Sequence, residues 1–259
     1  MWQVDAFTAR VFGGNPAAVV VLDDGWLPDP LMQAIAAENN LAETAFVVPA
    51  GAAWALRWFT PVHEADFCGH ATLATAHVLA AELGLAGDMR FTTRIGELRV
   101  EGTDGAYRLD IPAFRPQPLD PVPAVLTEIL TAGWRSAFRN FENIFVELGD
   151  EAAVRGFMPD LSRIATLFPL GLCITAPGER HDFVSRYFAP GAGIPEDPVT
   201  GSTHATLVPH WAARLGRRSL SAFQASSRGG ELSCELAGDR VRLSGHAVTF
   251  MAATIRLPG

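Results

Sequence analysis

Lysine is absent from this sequence of 259 residues, and all 20 of its cationic side chains are arginines. Several kinds of enzyme need a lysine to form a Schiff base, to act as a general base or to bind phosphate in a P-loop. The lack of lysine therefore excludes pyridoxal-phosphate enzymes and the usual P-loop NTPases. Acidic residues number 28 and the net charge is −8. We expect no nucleic-acid partner and no anionic membrane partner, because both bind clustered basic residues.

Cysteine is also scarce, with three residues far apart in the sequence: Cys68, Cys173 and Cys234. They form no CxxC pair and do not fit a disulfide framework. Cys173 and Cys234 lie in apolar or strand segments and are interpreted as core residues. No apolar run approaches the roughly 18 residues that a membrane-spanning helix needs. The N-terminus, Met1–Asp5, lacks the basic and apolar regions of a signal peptide. We therefore expect a cytoplasmic protein.

Signatures of a bound metal or nucleotide are missing as well. The seven histidines include no HExxH motif and no comparable ligand spacing. His70 and His77 are seven residues apart, two helical turns, which is only a weak indication of a shared ligand. No GxGxxG motif follows a predicted strand. The sequence therefore predicts no metal site and no cofactor.

What is present is a chain with 49% apolar and 19% charged residues, a composition that permits a well-filled core. Its length fits one large domain or two domains of about 130 residues. The spacing of apolar residues predicts helices at 29–39, 70–83 and 201–216, separated by short strands. The second and third helices are each closed by a glycine, at Gly84 and Gly216.

Short strands account for most of the remaining pattern, including a hairpin formed by 43–48 and 55–59. Four strands are predicted in 219–256, where Arg240–Leu243 and Val248–Phe250 are taken as separate. The segment from Pro112 to Val122 contains four prolines and is the best candidate for a linker between two lobes.

The two halves of the chain resemble one another. Three segments of the first half recur in the same order in the second, at offsets of 129, 132 and 134 residues. The pairs are Arg57–Pro61 with Arg186–Pro190, Gly69–Gly84 with Gly201–Gly216, and Arg94–Leu98 with Arg228–Leu232. Unrelated strand–loop–helix units can also look alike, but the conserved order of the three matches favours a duplication.

A duplication predicts two pseudo-symmetric lobes, residues 1–115 and 116–259, with the final strands able to cross back to the first lobe. Ligands commonly bind between such lobes. Gly69 and Gly201 begin the predicted helices, with Thr200 or Ser202 as the second N-cap. Helix N-termini carry unpaired backbone N–H groups that attract anions. We expect both N-termini to face one cleft and to hold an anionic group there.

Six segments of the sequence match one family: Val4–Thr8, Gly14–Ala17, Asn40–Phe46, Phe59–Pro61, Cys68–Thr72 and Glu196–Ser202. They cover essentially the whole chain, and the last is the most specific. On these segments the sequence resembles the phenazine-biosynthesis (PhzF) family, a branch of the diaminopimelate-epimerase fold. The resemblance implies an α+β fold in which each lobe is a curved mixed β-sheet wrapped around a central helix. It also implies an isomerase without a cofactor, and a homodimer.

The same resemblance implies that a glutamate moves a proton on a small, cyclic, carboxylated substrate. The matching glutamate is Glu43, which opens an apolar strand, and burial beside apolar residues raises the proton affinity of a carboxylate. His70 and Asp197 match two further catalytic side chains, and His70 could donate a hydrogen bond or relay a proton. Each of the three residues also has a purely structural explanation. Glu43 could be a solvated turn carboxylate, His70 a histidine at a helix start and Asp197 a helix cap.

Substrate binding is expected from the two predicted helix starts. Ser202 matches a side chain that lines the family's cleft, although serine is also a common N-cap. The backbone at Gly69 and Gly201, with Thr200 beside it, is expected to hold the substrate's carboxylate.

Two alternatives stay open at this point. Related epimerases use two cysteines, one in each lobe, so an amino-acid racemase using Cys68 is one alternative. The repeat places Thr200 where the second cysteine would lie, and a threonine hydroxyl is too weakly acidic to replace a thiol base. Cys68 is therefore interpreted as a packed small residue. The other alternative is a non-catalytic protein of the same fold that binds a small molecule.

Overall fold

Residues 1–103 and 105–257 are described by the computed structural model, in which the chain divides into two units. Unit 1 consists of Met1–Asp110 together with the chain from Ser244 onward, and unit 2 consists of Ile111–Leu243. The chain therefore passes from unit 1 into unit 2 and returns near its end.

Unit 1 is a mixed β-sheet packed against a buried helix. Its elements are β1 (Trp2–Ala6), β2 (Asn15–Val21), α1 (Asp29–Asn39), β3 (Glu43–Ala50), β4 (Ala53–Phe59), β5 (Glu64–Ala65), α2 (Gly69–His77), β6 (Met89–Thr93), β7 (Gly96–Thr103) and β8 (Ala106–Pro112). Strand β2 pairs antiparallel with β1 and parallel with β3; β4 pairs antiparallel with β3 and parallel with β6; β6, β7 and β8 follow as antiparallel neighbours. Helix α2 is buried along its whole length against β1, β2, β3 and β7.

Unit 2 has the same plan. Its elements are β9 (Gln117–Pro118), α3 (Val125–Ile129), β10 (Ser136–Arg139), β11 (Asn143–Glu147), α4 (Glu151–Gly156), α5 (Leu161–Ala165), β12 (Gly171–Pro177), β13 (Phe183–Ala189), β14 (Ile194–Asp197), α6 (Gly201–Leu215), β15 (Ser219–Gln224) and β16 (Gly230–Ala237). The last strand, β17 (Arg240–Ala252), begins in unit 2 and belongs to unit 1 from Ser244 onward, where it pairs antiparallel with β1. Strand β11 pairs antiparallel with β10 and parallel with β12; β13 pairs antiparallel with β12 and parallel with β15; β15 pairs antiparallel with β16. Helix α6 packs against β15 and β16.

The order of pairings confirms the duplication and the α+β fold. Antiparallel, parallel, antiparallel and parallel pairs follow one another from β1 to β6 and again from β10 to β15, and each series contains one buried helix. The registers define equivalent residues. Thr44 lies opposite Phe59 in unit 1, and Leu172 lies opposite Phe188 in unit 2. Phe59 and Phe188 differ by the 129 residues of the first sequence match, whereas Thr44 and Leu172 differ by 128.

The helix boundaries follow from local chemistry. Helix α1 ends where Asn40 adopts a left-handed conformation with φ of 50°, a conformation that asparagine tolerates better than most residues. Gly216 ends α6 in the same way, with φ of 68°. The predicted second helix is α-helical only to His77 and continues as a π-helical turn over Val78–Glu82.

The prediction of four strands in 219–256 is wrong, because the last two are one strand. Strand β17 runs without interruption through Ser244, Gly245 and His246, residues that resemble a turn in the sequence. Gly245 is required there by a close approach: a Cβ atom at this position would lie 2.5 Å from Cδ1 of the buried Phe7. A glycine inside a strand often marks such contact rather than a chain reversal.

The proline-rich segment predicted as a linker is attached to unit 2. Pro209 lies inside α6 and has no N–H, so it cannot bond to the carbonyl of Ala205 four residues earlier. The backbone N–H of Phe114 donates to that carbonyl at 2.8 Å, and β9 pairs with β10. The segment thus satisfies an acceptor that the helix leaves open.

In the part of the chain that the structure describes, no helix has the length and apolarity needed to cross a membrane.

Candidate functional site

Glu43 and His70 are brought together in unit 1. Glu43 is the first residue of β3, and His70 is the second residue of α2, so both lie where an element begins. The Nε2 atom of His70 is 3.3 Å from Oε2 of Glu43, and their side chains are 6% and 15% exposed. Two of the three side chains expected to be catalytic are therefore in hydrogen-bond range in a largely buried place.

The other ring nitrogen of His70 faces two further side chains. The Nδ2 atom of Asn15, at the start of β2, lies 3.2 Å from Nδ1, and the Sγ atom of Cys68 lies 3.5 Å from it. Asn15 is fully buried and Cys68 is 5% exposed. Cys68 is thus packed, as expected, and the side chain that it packs against is His70.

His70 is a neutral ring. Burial lowers its pKa to about 3, because a cation loses its hydration inside the protein. At neutral pH the ring therefore lies 3.3 Å from the Glu43 carboxyl group as a neutral imidazole and not as the cation of an ion pair. A ring that stays neutral can orient a carboxylate without cancelling its charge.

Among the described residues, Glu43, Cys68 and His70 form a group with donor types for a metal. One ligand atom from each lies within 4.8 Å of the others, and zinc binds all three types. The His70 ring is also within hydrogen-bonding distance of two side chains. Its Nδ1 atom lies 3.2 Å from the amide nitrogen of Asn15, and its Nε2 atom lies 3.3 Å from a carboxylate oxygen of Glu43.

Unit 2 brings together Asp197, Thr200 and the start of α6. Asp197 ends β14, Thr200 occupies the N-cap position, and Gly201 and Ser202 are the first two residues of the helix. Thr200 is an N-cap by position only, because its hydroxyl does not bond to the helix N–H groups. The hydroxyl donates instead to Oδ2 of Asp197. The carboxylate is buried, and Thr200 orients it.

Gln224 holds this arrangement from the end of β15. Its Oε1 accepts from the backbone N–H of Thr200 at 2.8 Å, and its Nε2 donates to the carbonyl of Asp197 at 2.8 Å and to the Thr200 hydroxyl at 3.1 Å. The residue is fully buried. Sequence reasoning missed it, although alternation along β15 places this polar side chain on the same face as buried Leu220 and Ala222.

An arginine in each unit fixes the segment before the central helix. Arg57 donates to both carboxylate oxygens of Glu64 at 2.8 Å, and Arg186 donates to both of Glu196 at 2.7 and 3.0 Å. Such two-point pairs define direction as well as distance. Because Glu196 directly precedes Asp197, Arg186 positions the strand that carries that carboxylate.

The two units differ at the position of Glu43. The registers make Gly171 its equivalent in unit 2, where no side chain is present. A Cβ atom at Gly171 would lie 2.3 Å from the hydroxyl oxygen of Tyr187, so tyrosine fills the space. The duplication has therefore kept this carboxylate in unit 1 and has none at the equivalent position of unit 2.

Comparison with known proteins gives a family for this site. The model of the PhzC-PhzF family, described as phenazine biosynthesis-like protein, matches residues 4–253. The chain belongs to this family. It is 49% identical to an uncharacterized isomerase of Pseudomonas aeruginosa, over 98% of this chain and 97% of that protein.

Solved structures support the PhzF assignment. A PhzF-family phenazine biosynthesis protein from Enterococcus faecalis has a TM-score of 0.92 and 46% identity, with 96% of each chain covered. A probable proline racemase from Agrobacterium radiobacter has a TM-score of 0.65 at 14% identity, covering 99% of this chain and 92% of that one, a likeness of fold alone. This PhzF-family protein is an isomerase-class enzyme with the fold that racemases share.

Proposed function

We propose that this PhzF-family protein is a cofactor-independent isomerase that moves a proton on a small, cyclic, carboxylated substrate, with Glu43 as the general acid and base. The observation that carries the proposal is the buried contact of 3.3 Å between Glu43 and a neutral His70. A carboxylate in such surroundings suits proton transfer to and from carbon, because water competes little for it.

The proposed step conserves every atom of the substrate. The Glu43 carboxylate removes a proton from a carbon next to an electron-withdrawing group, so a C–H bond breaks and an O–H bond forms. The electron pair enters the conjugated system of the substrate. Glu43 then returns the same proton to a different carbon. His70 stays next to Oε2, 3.3 Å away, and keeps the carboxyl group aimed at the substrate.

The segment from Asp197 to Ser202 supplies the substrate-binding part of the proposal. Asp197 is held by Thr200, and Thr200 is held in turn by Gln224. A carboxylate in this order can orient a polar group of the substrate as a third catalytic side chain. The helix N-termini at Gly69 and at Gly201–Ser202 offer backbone N–H groups, which suit the carboxylate of the substrate.

A thiol-based racemase is the second candidate, because the fold is shared with a probable proline racemase. Two opposed thiols would be needed, and only Cys68 lies at a helix start. Cys173 and Cys234 are buried in strands, and burial raises the pKa of both thiols. Deuterium exchange at the alpha carbon of an amino acid, abolished by Cys68→Ser, would favour this candidate over the glutamate mechanism.

The first experiment follows deuterium entering candidate substrates in D2O by proton NMR, using cyclic carboxylates and amino acids. With a substrate that exchanges or isomerises, Glu43→Gln should lower the rate about 100- to 10,000-fold, the usual contribution of a general acid/base. Glu38→Gln is the matched control, because Glu38 is an exposed glutamate of the same unit. Turnover that survives Glu43→Gln contradicts the mechanism, and a protein that binds compounds but turns over none supports the non-catalytic alternative.

Two further expectations belong to the proposal. We expect a homodimer, which sedimentation equilibrium measures directly against the chain mass of 27.8 kDa. We also expect a cytoplasmic location, which cell fractionation tests.

A further inference from the structure

We propose that Asn15 is a positioning residue that fixes His70 in the tautomer with its proton on Nε2, so that the ring donates its one N–H to Glu43. The catalytic meaning of this inference rests on the proposed function. The tautomer itself does not, because it can be measured without a substrate.

The first argument comes from the Glu43 side of the ring. A neutral imidazole has one N–H and one lone pair, and the nitrogen that carries the proton is set by the partners of both. An ionised carboxylate only accepts hydrogen bonds. Nε2 lies 3.3 Å from Oε2 of Glu43, so a proton on Nε2 would face an acceptor, whereas a lone pair there would face the oxygen's lone pairs.

The second argument comes from the opposite side and agrees with the first. If Nε2 carries the proton, Nδ1 is a bare acceptor and needs a donor. Asn15 directs its amide nitrogen, which only donates, at Nδ1 from 3.2 Å, and the Cys68 thiol at 3.5 Å can also donate. Each ring nitrogen thus faces a group of complementary character in one tautomer, and both would be mismatched in the other.

The backbone holds Asn15 in this place. The preceding residue, Gly14, has a φ of +60°, and a Cβ atom on it would lie 2.0 Å from the carbonyl oxygen of Ala6. Asn15 itself pairs with Ala6 in the β1–β2 ladder and is fully buried. The Gly-Asn sequence therefore delivers the amide to the ring from a rigid turn.

The same tautomer bears on metal binding. A metal bound to His70 would need a lone pair on the coordinating nitrogen. In the inferred state Nδ1 accepts from Asn15, and Nε2 has a proton. Zinc should therefore bind weakly unless the proton moves to Nδ1, which the Asn15 amide nitrogen opposes.

The test is the nitrogen-15 NMR spectrum of the histidine rings at pH 7, in which two-bond couplings identify the protonated nitrogen. His70 signals are assigned by their loss in His70→Gln, or by their shift in Cys68→Ser if the first variant does not fold. His204 is an internal control with the opposite tautomer. Its Nδ1 atom lies 2.8 Å from the carbonyl of Thr200 and must donate to it. We expect the proton on Nε2 in His70 and on Nδ1 in His204.

Asn15→Asp then replaces the donor with oxygens that only accept. His70 should gain a proton on Nδ1 while His204 stays unchanged, and kcat should fall about 10- to 100-fold, the range for groups that orient a functional side chain. A native His70 with its proton on Nδ1, or an Asn15→Asp variant that keeps the native tautomer, overturns the inference. If the tautomer is as inferred but Glu43→Gln retains turnover, the proposed function fails and the positioning of His70 by Asn15 stands.

Discussion

Removing Gln224 should destabilise unit 2 more than removal of any exposed glutamine. The change Gln224→Leu keeps the size of the side chain and deletes three hydrogen bonds, two of which satisfy the backbone N–H of Thr200 and the carbonyl of Asp197. A buried polar group that loses its partner costs about 1–3 kcal/mol. Two such groups give about 2–6 kcal/mol, and extra apolar burial by leucine offsets part of this. We expect a loss of about 3 kcal/mol in the free energy of unfolding.

Urea unfolding monitored by circular dichroism measures the free energy, and hydrogen exchange at the Thr200 amide measures the local effect. A loss of about 3 kcal/mol corresponds to a Tm lower by roughly 6–12 °C for a chain of this size. The matched control is Gln117→Leu in β9, since Gln117 is an exposed glutamine of the same unit. If Gln224→Leu lies within about 0.5 kcal/mol of the native protein and the Thr200 amide keeps its protection, then Gln224 does not hold the site.

Two other predictions concern stability. Burial lowers the pKa of His70 to about 3 and that of His204 to about 4, so the unfolded state binds protons first as the pH falls below about 6.5. The free energy of unfolding should therefore fall from pH 6.5 toward pH 4, by about 2 kcal/mol per ring at pH 5. Urea titrations at pH 7 and pH 5 measure this difference. Equal free energies at the two pH values would show that the rings are not buried. Gly14→Ala should cost several kcal/mol because its Cβ would meet the Ala6 carbonyl, whereas Gly51→Ala, at similar φ but with nothing within 4 Å, should cost about 1 kcal/mol in the same assay. Equal losses in the two variants would contradict the steric argument.

The sequence predicts correctly those helices and strands whose ends carry a recognisable capping residue. Helix α1 is predicted at its observed bounds because its apolar period is followed by Asn40, which supplies a left-handed cap. Strand β17 is divided wrongly because Ser244–His246 has a turn-like composition, and its glycine is explained only by the distant Phe7. Strand β10 (Ser136–Arg139) is too short to show alternation and was not predicted. A strand of only four residues forms because the adjacent strands of the sheet pair with it.

The residues of the candidate site also differ in whether the sequence could identify them. Glu43 and His70 lie in short motifs and could be selected from the sequence. Asn15 lies in the matched segment Gly14–Ala17, but its role and that of Gln224 could not be inferred, because they depend on contacts over 55 and 24 residues of chain. Such contacts follow from the register of the sheet, and a shift of one residue would turn either side chain to the other face. Buried polar residues on an otherwise apolar strand face are the one signal that could have marked them.

The difference between the two units argues for a single base that both removes and returns the proton. A two-base racemase needs matched groups in both halves, and a duplicated fold supplies equivalent positions for them. Here Cys68 corresponds to Thr200, and Glu43 corresponds to Gly171, whose side-chain space is filled by Tyr187. Burial and the nearby charge of Asp197 raise the pKa of Tyr187, so its hydroxyl stays protonated and is a poor base. Because the equivalent positions of unit 2 hold no thiol and no carboxylate, we propose that Glu43 both removes and returns the proton. A carbon-to-carbon shift on one face of a substrate needs no second base, whereas a two-base inversion of a stereocentre needs the second base on the opposite face.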